Sequence, residues 1–409
     1  MFFGGACHYR LPFCFFGGEG GHELTFIIQL AVVIVATKIA GHASVRWLGQ
    51  PAVLGELIVG ILVGPALLGW IPDSEMMHVF SEIGVLMLMF IAGLETNLED
   101  LRNSARSSSA VALGGVILPL GFGYLAGTLL GMDTSHAIFL GLILSATSVS
   151  ISVQTLKELG KLQSKESMTL LGAAVLDDVI VIVLLAFAMS IFGDSDTSIW
   201  WVVGEKIFFF ASAVFVAWKG VPWIVRLFGR LKVSEPVIAL ALVLCLVFAW
   251  YADLLGVAGI IGSFIAGTAL AQTSFKATIE RKIEPVAYGI FVPVFFVSIG
   301  LKVTFNGIFD QIWFIIGLTL IAVLTKFIGS GFGAWMTGFS PLSSFRIGSG
   351  MVSRGEVALI LASIGIEAHL LAQKYFTPLI LVVILTTLIT PPLLKILFEK
   401  EEASARANK

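Results

Sequence analysis

The sequence predicts an all-α polytopic membrane protein, with about thirteen transmembrane helices arranged as inverted repeats. Three observations predict it. The chain is 57% hydrophobic, carries only 13% charged residues and has a mean hydropathy of +0.97, whereas a soluble domain holds about twice that charge. Basic residues gather in every second loop, as expected when loops alternate between the two sides of a membrane. Two pairs of segments also repeat at an offset of about 205 residues.

The first 23 residues are rich in Gly and Phe. They lack the charged start, continuous apolar core and small-residue cleavage site of a signal peptide. They are expected to form an extracellular tail, 1–23, with no assigned role.

Apolar runs bounded by charge, Pro or Gly then follow in order, most of them near the length that crosses a bilayer core. They are Leu24–Gly41, Pro51–Trp70, His78–Glu95, Ser107–Gly131, His136–Lys157, Met168–Phe192, Ile199–Phe228, Glu235–Leu255, Val257–Thr273, Glu284–Lys302, Ile308–Met336, Phe345–Glu367 and Phe376–Phe398. Residues 399–409 are expected as a cytoplasmic tail. Arg46 follows the first run, Arg102 and Arg106 the third, and Lys157, Lys161 and Lys165 the fifth. Lys219, Arg226, Arg230 and Lys232 surround the seventh loop, Lys276, Arg281 and Lys282 follow the ninth, and Arg346 closes the eleventh. The intervening loops are short or acidic, apart from Lys302 and Lys374. This alternation puts the N-terminus outside and the C-terminus in the cytoplasm.

The repeat reads Leu57 to Leu67 against Ile260 to Leu270, and Gly93-Leu94-Glu95 against Gly300-Leu301-Lys302. The partners lie seven helices apart, an odd number, so the two copies cross in opposite directions. Such inverted repeats are a mark of secondary transporters, whose substrate site lies at the midplane between them.

The chemistry-bearing residues stand out against this background. Asp177 and Asp178 sit halfway along Met168–Phe192. A carboxylate at that depth is costly and is a transport or proton-relay site by default. Adjacent helical residues point roughly 100° apart, which invites a division of labour between a cation pathway and a partner charge. Lys326, deep in Ile308–Met336, is the natural partner, and its charge would depend on whether the aspartate is occupied. A fixed stabilising ion pair is the plainer alternative. Ser145-Ala146-Thr147-Ser148-Val149-Ser150-Ile151-Ser152 is a poor helix former. It suits a broken helix whose freed carbonyls and hydroxyls coordinate a hard cation. Arg354 and Glu356, in Ser353-Arg354-Gly355-Glu356, do not face each other on a regular helix. They lie about 205 residues after the Thr147 cluster, so a second broken helix crossing the first is expected, with an architectural role for both charges. Glu56, Glu82 and the Glu205–Lys206 pair are expected to be mainly structural.

Several classes are excluded. The net charge of −2 and the lack of a basic run argue against a nucleic-acid partner. Cys7, Cys14 and Cys245 are too few and scattered for a disulfide framework or zinc site. An intramembrane aspartyl protease needs its aspartates on two facing helices, and no G-x-G-D signature occurs. A channel is expected to carry a filter-like ring of ligands, of which the sequence gives no sign. The chain is therefore expected to be no enzyme.

These residues carry a resemblance that covers the chain from about Leu24. Gly49-Gln50-Pro51-Ala52-Val53-Leu54-Gly55-Glu56, Phe90-Ile91-Ala92-Gly93-Leu94-Glu95, Ala146-Thr147-Ser148-Val149, Leu176-Asp177-Asp178, Lys326 and Arg354-Gly355-Glu356 together resemble the monovalent cation:proton antiporter-2 family, close to bacterial sodium/proton antiporters of the paired-aspartate type. The resemblance implies the sodium/proton antiporter fold with two broken crossing helices, in a homodimer of the bacterial plasma membrane. It implies a dimerisation part at about 24–95 and 235–302, a linker helix at about 199–228, and an elevator-like core at about 107–192 and 308–398. By position, Asp178 would be the main carboxylate for Na⁺ and protons, Asp177 would pair with Lys326, and Thr147 and Ser148 would line the site. Electrogenic exchange of Na⁺ for protons, with K⁺/H⁺ exchange as the alternative and no cofactor, would follow. Potassium-efflux relatives carry a nucleotide-binding domain; this chain has no G-x-G-x-x-G in a suitable context, and none is expected.

Overall fold

The computed structural model describes residues 21–192, 199–303 and 311–407; the expected tail up to residue 20 lies outside them. Among the described residues all regular structure is helical. Ten helices are long and apolar enough to cross a membrane, and three apolar ones, Ala52–Val63, Gly259–Ala271 and Val357–Ile366, are shorter. The expected thirteen spans thus correspond to ten by length alone.

The first part of the chain forms α1 (Gly21–Trp47), α2 (Ala52–Val63) and α3 (Glu75–Glu95). A short amphipathic helix, α4 (Leu98–Asn103), which the sequence pattern did not suggest, leads to α5 (Ala105–Leu129). The expected fifth span is α6 (Thr134–Ser145) and α7 (Val149–Glu158), separated by extended residues 146–148, and α8 (Lys165–Phe192) follows. The segment expected as a linker comprises α9 (Ile199–Phe215) and α10 (Val221–Phe228), joined by a wide π turn at Val216–Gly220. The second half holds α11 (Pro236–Leu254), α12 (Gly259–Ala271), α13 (Lys276–Val286) and α14 (Val292–Leu301). It continues with α15 (Ile312–Met336), α16 (Pro341–Gly350), α17 (Glu356–Glu367) and α18 (Phe376–Ala407). A second π turn, Ala287–Phe291, joins α13 to α14. Both π turns lie just before a proline, Pro222 and Pro293. Proline lacks the N–H that would close the regular ladder there, so the helix widens instead of breaking.

The repeat-related helices exchange partners. α2 packs on α14, and α3 on α12. At both crossings glycine removes the Cβ that would hold the backbones apart. A Cβ on Gly60 would lie 2.2 Å from the Val297 carbonyl oxygen, and one on Gly267 would lie 2.1 Å from that of Phe90. Small residues at such seams are how helices attract each other in lipid, where burial of apolar surface offers little advantage. α5 and α15 pack along each other and flank the broken helices, with α8 on α5 and α18 on α15. Exposed Ile27, Val35, Ile39, Ile117, Trp201, Ile207, Trp250 and Trp313 give the molecule an apolar outer face, as a bilayer requires.

Candidate functional site

The site begins where two helices stop. α6 ends at Ser145, and Ala146 and Ser148 are extended before α7 begins. α16 ends at Gly350, and residues 352–355 are non-helical before Glu356 opens α17. The two non-helical stretches cross and bond reciprocally. The Ser148 N–H donates to the Ser353 carbonyl at 2.8 Å, and the Ser353 hydroxyl donates to the Ser148 carbonyl at 2.6 Å. A break inside a membrane strands carbonyls that no water can satisfy, and their negative dipole ends call for cations.

Two buried cations answer that need. Arg354, 1% exposed, donates from Nε to Leu144 O at 2.9 Å and from Nη1 to Val352 O at 2.5 Å, with Met351 O at 3.5 Å. Its Nη2 reaches Ala322 O of α15 at 2.9 Å. One guanidinium thus ties the ends of α6 and α16 to a third helix. α18 holds its backbone: the Arg354 N–H donates to Thr386 Oγ1 at 3.2 Å, and Thr387 Oγ1 donates to Arg354 O at 2.7 Å. Lys326, fully buried in α15, donates to Ser145 O at 2.5 Å and to Asp177 Oδ1 at 2.8 Å. Asp177 is likewise fully buried, and Asp178 beside it is 3% exposed.

Several oxygens on the broken helix and on α8 and α15 are left unused. Asp177 Oδ2, Thr147 Oγ1, Ser150 Oγ and Ser330 Oγ are buried without a hydrogen-bond partner among the described residues. Each such atom costs roughly 1–3 kcal/mol when nothing pairs with it. A hard cation or a proton is the chemistry that this set of oxygens accepts.

Of the residues expected from the sequence, the structure brings Asp177 and Lys326 into direct contact and buries Asp178, Thr147 and Ser148. Ser148 contributes its backbone to the crossing. Arg354 is at the centre of the carbonyl network, while the Glu356 side chain lies outside the described residues. Lys206 caps the end of α11 by donating to Leu255 O at 2.6 Å, which gives that charge an architectural use. Sequence reasoning missed Thr386, Thr387, Ser330 and Gly115. A Cβ on Gly115 would lie 2.4 Å from Ser330 Oγ and 3.4 Å from Lys326 Nζ, so Gly115 makes the space for the Ser330 hydroxyl beside that lysine. The hydroxyl run Thr386-Thr387 in an apolar helix was a usable signal; Gly115 offered none.

A polar cavity of about 420 Å³ opens beside the start of α8, lined by Glu95, Asn97, Asp100, Gln163, Gln272 and Lys276 among others. A second cavity of about 430 Å³ shares Gln272 with it and runs past Gly172, Val175 and Leu176 of α8. The second cavity is walled mainly by apolar side chains, and Asp177 and Asp178 line neither of the two. Among the described residues no cluster of three or more His, Cys, Asp or Glu side chains is set to hold a resident metal.

Comparison with known proteins gives a consistent result. The model of the family described as "Sodium/hydrogen exchanger, transmembrane" matches residues 31–400. The chain is similar to the Na(+)/H(+)-K(+) antiporter GerN of Bacillus cereus, with 57% identity over 95% of this chain and 100% of that one. It is similar to the probable Na(+)/H(+) antiporter GerT of Bacillus cereus, with 59% identity over 91% and 99%. A Na(+)/H(+) antiporter of Enterococcus hirae shares 42% identity over 93% and 100%. Among solved structures, the sodium proton antiporter MjNhaP1 of Methanocaldococcus jannaschii aligns with a TM-score of 0.62 at 18% identity, over 95% of this chain and 99% of that one. That last likeness speaks to the fold.

Proposed function

The chain belongs to the transmembrane sodium/hydrogen exchanger family, and from that premise we propose how this site exchanges Na⁺ for protons across the membrane. The observation that supports it best is the Lys326–Asp177 pair, fully out of water at 2.8 Å beside a second buried carboxylate. Charge so placed must be neutralised at every step, so a carboxylate that loses a proton has to gain a cation.

Asp178 is the carboxylate that alternates between proton and Na⁺. Thr147 Oγ1 and the freed backbone oxygens at the break complete the cation's shell, and Ser148 shapes it. A cation arriving there competes with the Lys326 ammonium for Asp177. Lysine can give up its proton, whereas arginine cannot. Lys326 is therefore the source of a second proton, and exchange of two protons for one cation moves net charge. Arg354 stays charged throughout and holds the broken ends in place.

The cation approaches from the cytoplasm through the cavity walled by Glu95 and Asp100. The core, about 107–192 and 308–398, then moves as an elevator against a dimerisation part, about 24–95 and 235–302, in a homodimer. The alternation of loop charges supports an N-terminus outside and a C-terminus in the cytoplasm of a bacterial plasma membrane. A second reading, in which K⁺ joins or replaces Na⁺, is favoured by the Bacillus cereus relative whose name gives Na(+)/H(+)-K(+) exchange.

Purified protein in proteoliposomes tests this directly, with proton flux followed on addition of Na⁺, K⁺ or Li⁺ in turn. Na⁺ is expected to drive the flux in the natural protein, and Asp178→Asn to abolish it with the fold intact. Normal exchange by that variant would overturn the mechanism.

A further inference from the structure

The C-terminal end of α7 carries contacts that the transport site does not use. α2 starts at Ala52 behind Pro51, with no side-chain cap of its own. A carboxylate from another helix takes that place: Glu158 of α7 accepts from the Ala52 N–H and, at 3.2 Å, from the Val53 N–H. Gln154, one turn earlier, holds the same carboxylate by donating from Nε2 at 2.8 Å. A negative charge suits the positive end of a helix.

The neighbouring residue continues the link. Lys157 Nζ lies 2.5 Å from Glu95 Oε1 at the end of α3 and 2.8 Å from Glu284 Oε1 of α13. Its ammonium also stands 4.7 Å from the centre of the Tyr288 ring. A third contact lies on the same side, where Lys395 of α18 donates to the Gly49 carbonyl in the turn before α2. Glu158, Lys157 and Lys395 belong to the proposed core, and apart from Gln154 and Glu399, which pair with Glu158 and Lys395 from within α7 and α18, their partners belong to the proposed dimerisation part.

These contacts differ in kind from those at the crossing. Lys157 is 19% exposed and Glu284 37%, so water can take over when they part. Contacts of this sort suit surfaces that separate and meet again. Glu95 also lines the polar cavity, so a cation entering there competes with Lys157 for it.

We propose that Glu158, Lys157 and Lys395 form a latch that clasps the core to α2, α3 and α13 and holds the conformation in which this cavity is open. This rests on the elevator reading given above. A cation in the cavity loosens the latch by drawing Glu95 away from Lys157, which links release of the core to the arrival of substrate.

The test uses full-length protein with Cys7, Cys14 and Cys245 replaced by Ala. Spin labels at Gln163→Cys, in the loop after α7, and at Arg281→Cys, on α13, report the distance between the two parts by pulsed electron resonance. Two distance populations are expected, the shorter being the latched one. Glu158→Gln combined with Lys157→Gln should shift their ratio away from the latched form by roughly five- to tenfold, the worth of a helix cap and exposed ion pairs. Lys395→Ala should give a smaller shift in the same direction, and it stands as a second variant if the first fails to fold. Exchanging all three charges, Lys157→Glu with Glu95→Lys and Glu284→Lys, should keep the ratio near its original value. An unmoved ratio between two clear populations overturns the latch and leaves the elevator standing. A single population in the unsubstituted protein, with and without Na⁺ and at high and low pH, overturns both.

Discussion

Two buried cations lie at the same helix end and do opposite things. Arg354 takes the Leu144 carbonyl and Lys326 takes the next one, Ser145. Arg354 spends its donors on backbone carbonyls of three helix ends or segments, and its planar fork cannot lose a proton. Lys326 divides its ammonium between one carbonyl and one carboxylate, and it can deprotonate. In the proposed mechanism this difference separates a charge that fixes the architecture from a charge that takes part in exchange. Both are fully buried, so burial alone does not tell them apart; the partners do.

The comparison can be broken most severely at the carboxylate that Lys326 does not bind. Asp178→Asn is expected to remove all cation-driven proton flux while the protein still folds, measured in proteoliposomes alongside size-exclusion chromatography. Removing Arg354 should instead act on the fold. Arg354→Ala strands the Leu144, Val352 and Ala322 carbonyls out of water, which is expected to cost about 1–3 kcal/mol of stability for each one left unpaired. Its melting temperature in detergent should fall steeply, and Arg354→Lys should not rescue it, since one ammonium cannot reach all three. Full stability in Arg354→Ala would remove its architectural role.

Lys326 should give the intermediate effect. Lys326→Gln is expected to keep Na⁺-driven exchange but lose the second proton, so an imposed membrane potential should no longer drive it. The pH dependence sharpens the same point. Protons compete with Na⁺ for deprotonated ligands, so the half-saturating Na⁺ concentration rises as pH falls. It should rise more steeply per pH unit in the natural protein than in Lys326→Gln. Equal steepness in both would return Lys326 to a fixed ion pair.

Much of this was legible in the sequence because lipid makes ionisable residues conspicuous. Asp177, Asp178, Lys326 and Arg354 interrupt apolar runs, and the hydroxyls from Ser145 to Ser152 mark a break where a helix former would be expected. What stayed hidden were partners with no chemical signature. Arg354 is satisfied by backbone carbonyls, which every residue has. Glu158 and Lys157 look like ordinary charges at a helix end, and only the fold carries them to the start of α2 and to Glu95 and Glu284. The repeat pointed to opposite crossings, but not to the exchange of partners by which α2 meets α14 and α3 meets α12.

Gly115 gives the smallest effect and the finest probe of how tightly Lys326 is held. Gly115→Ala puts a methyl group 2.4 Å from Ser330 Oγ and 3.4 Å from Lys326 Nζ, so either the methyl group or Ser330 must give way, and the strain reaches Lys326 only if the shift is passed on to it. Overpacking of this kind costs typically 1–3 kcal/mol, or about 1 where a neighbour can give way. If the strain falls on Lys326, Na⁺ affinity changes several-fold and the response to membrane potential weakens. If it falls on Ser330, stability drops and transport properties stay as they were. Ser330→Ala in the same chain removes the nearer clash and also an unpartnered hydroxyl. The double variant should therefore recover stability in either case. Its transport should recover only if the hydroxyl had been pushing the ammonium off Asp177, and unrestored Na⁺ affinity would mean that the methyl group itself displaces Lys326.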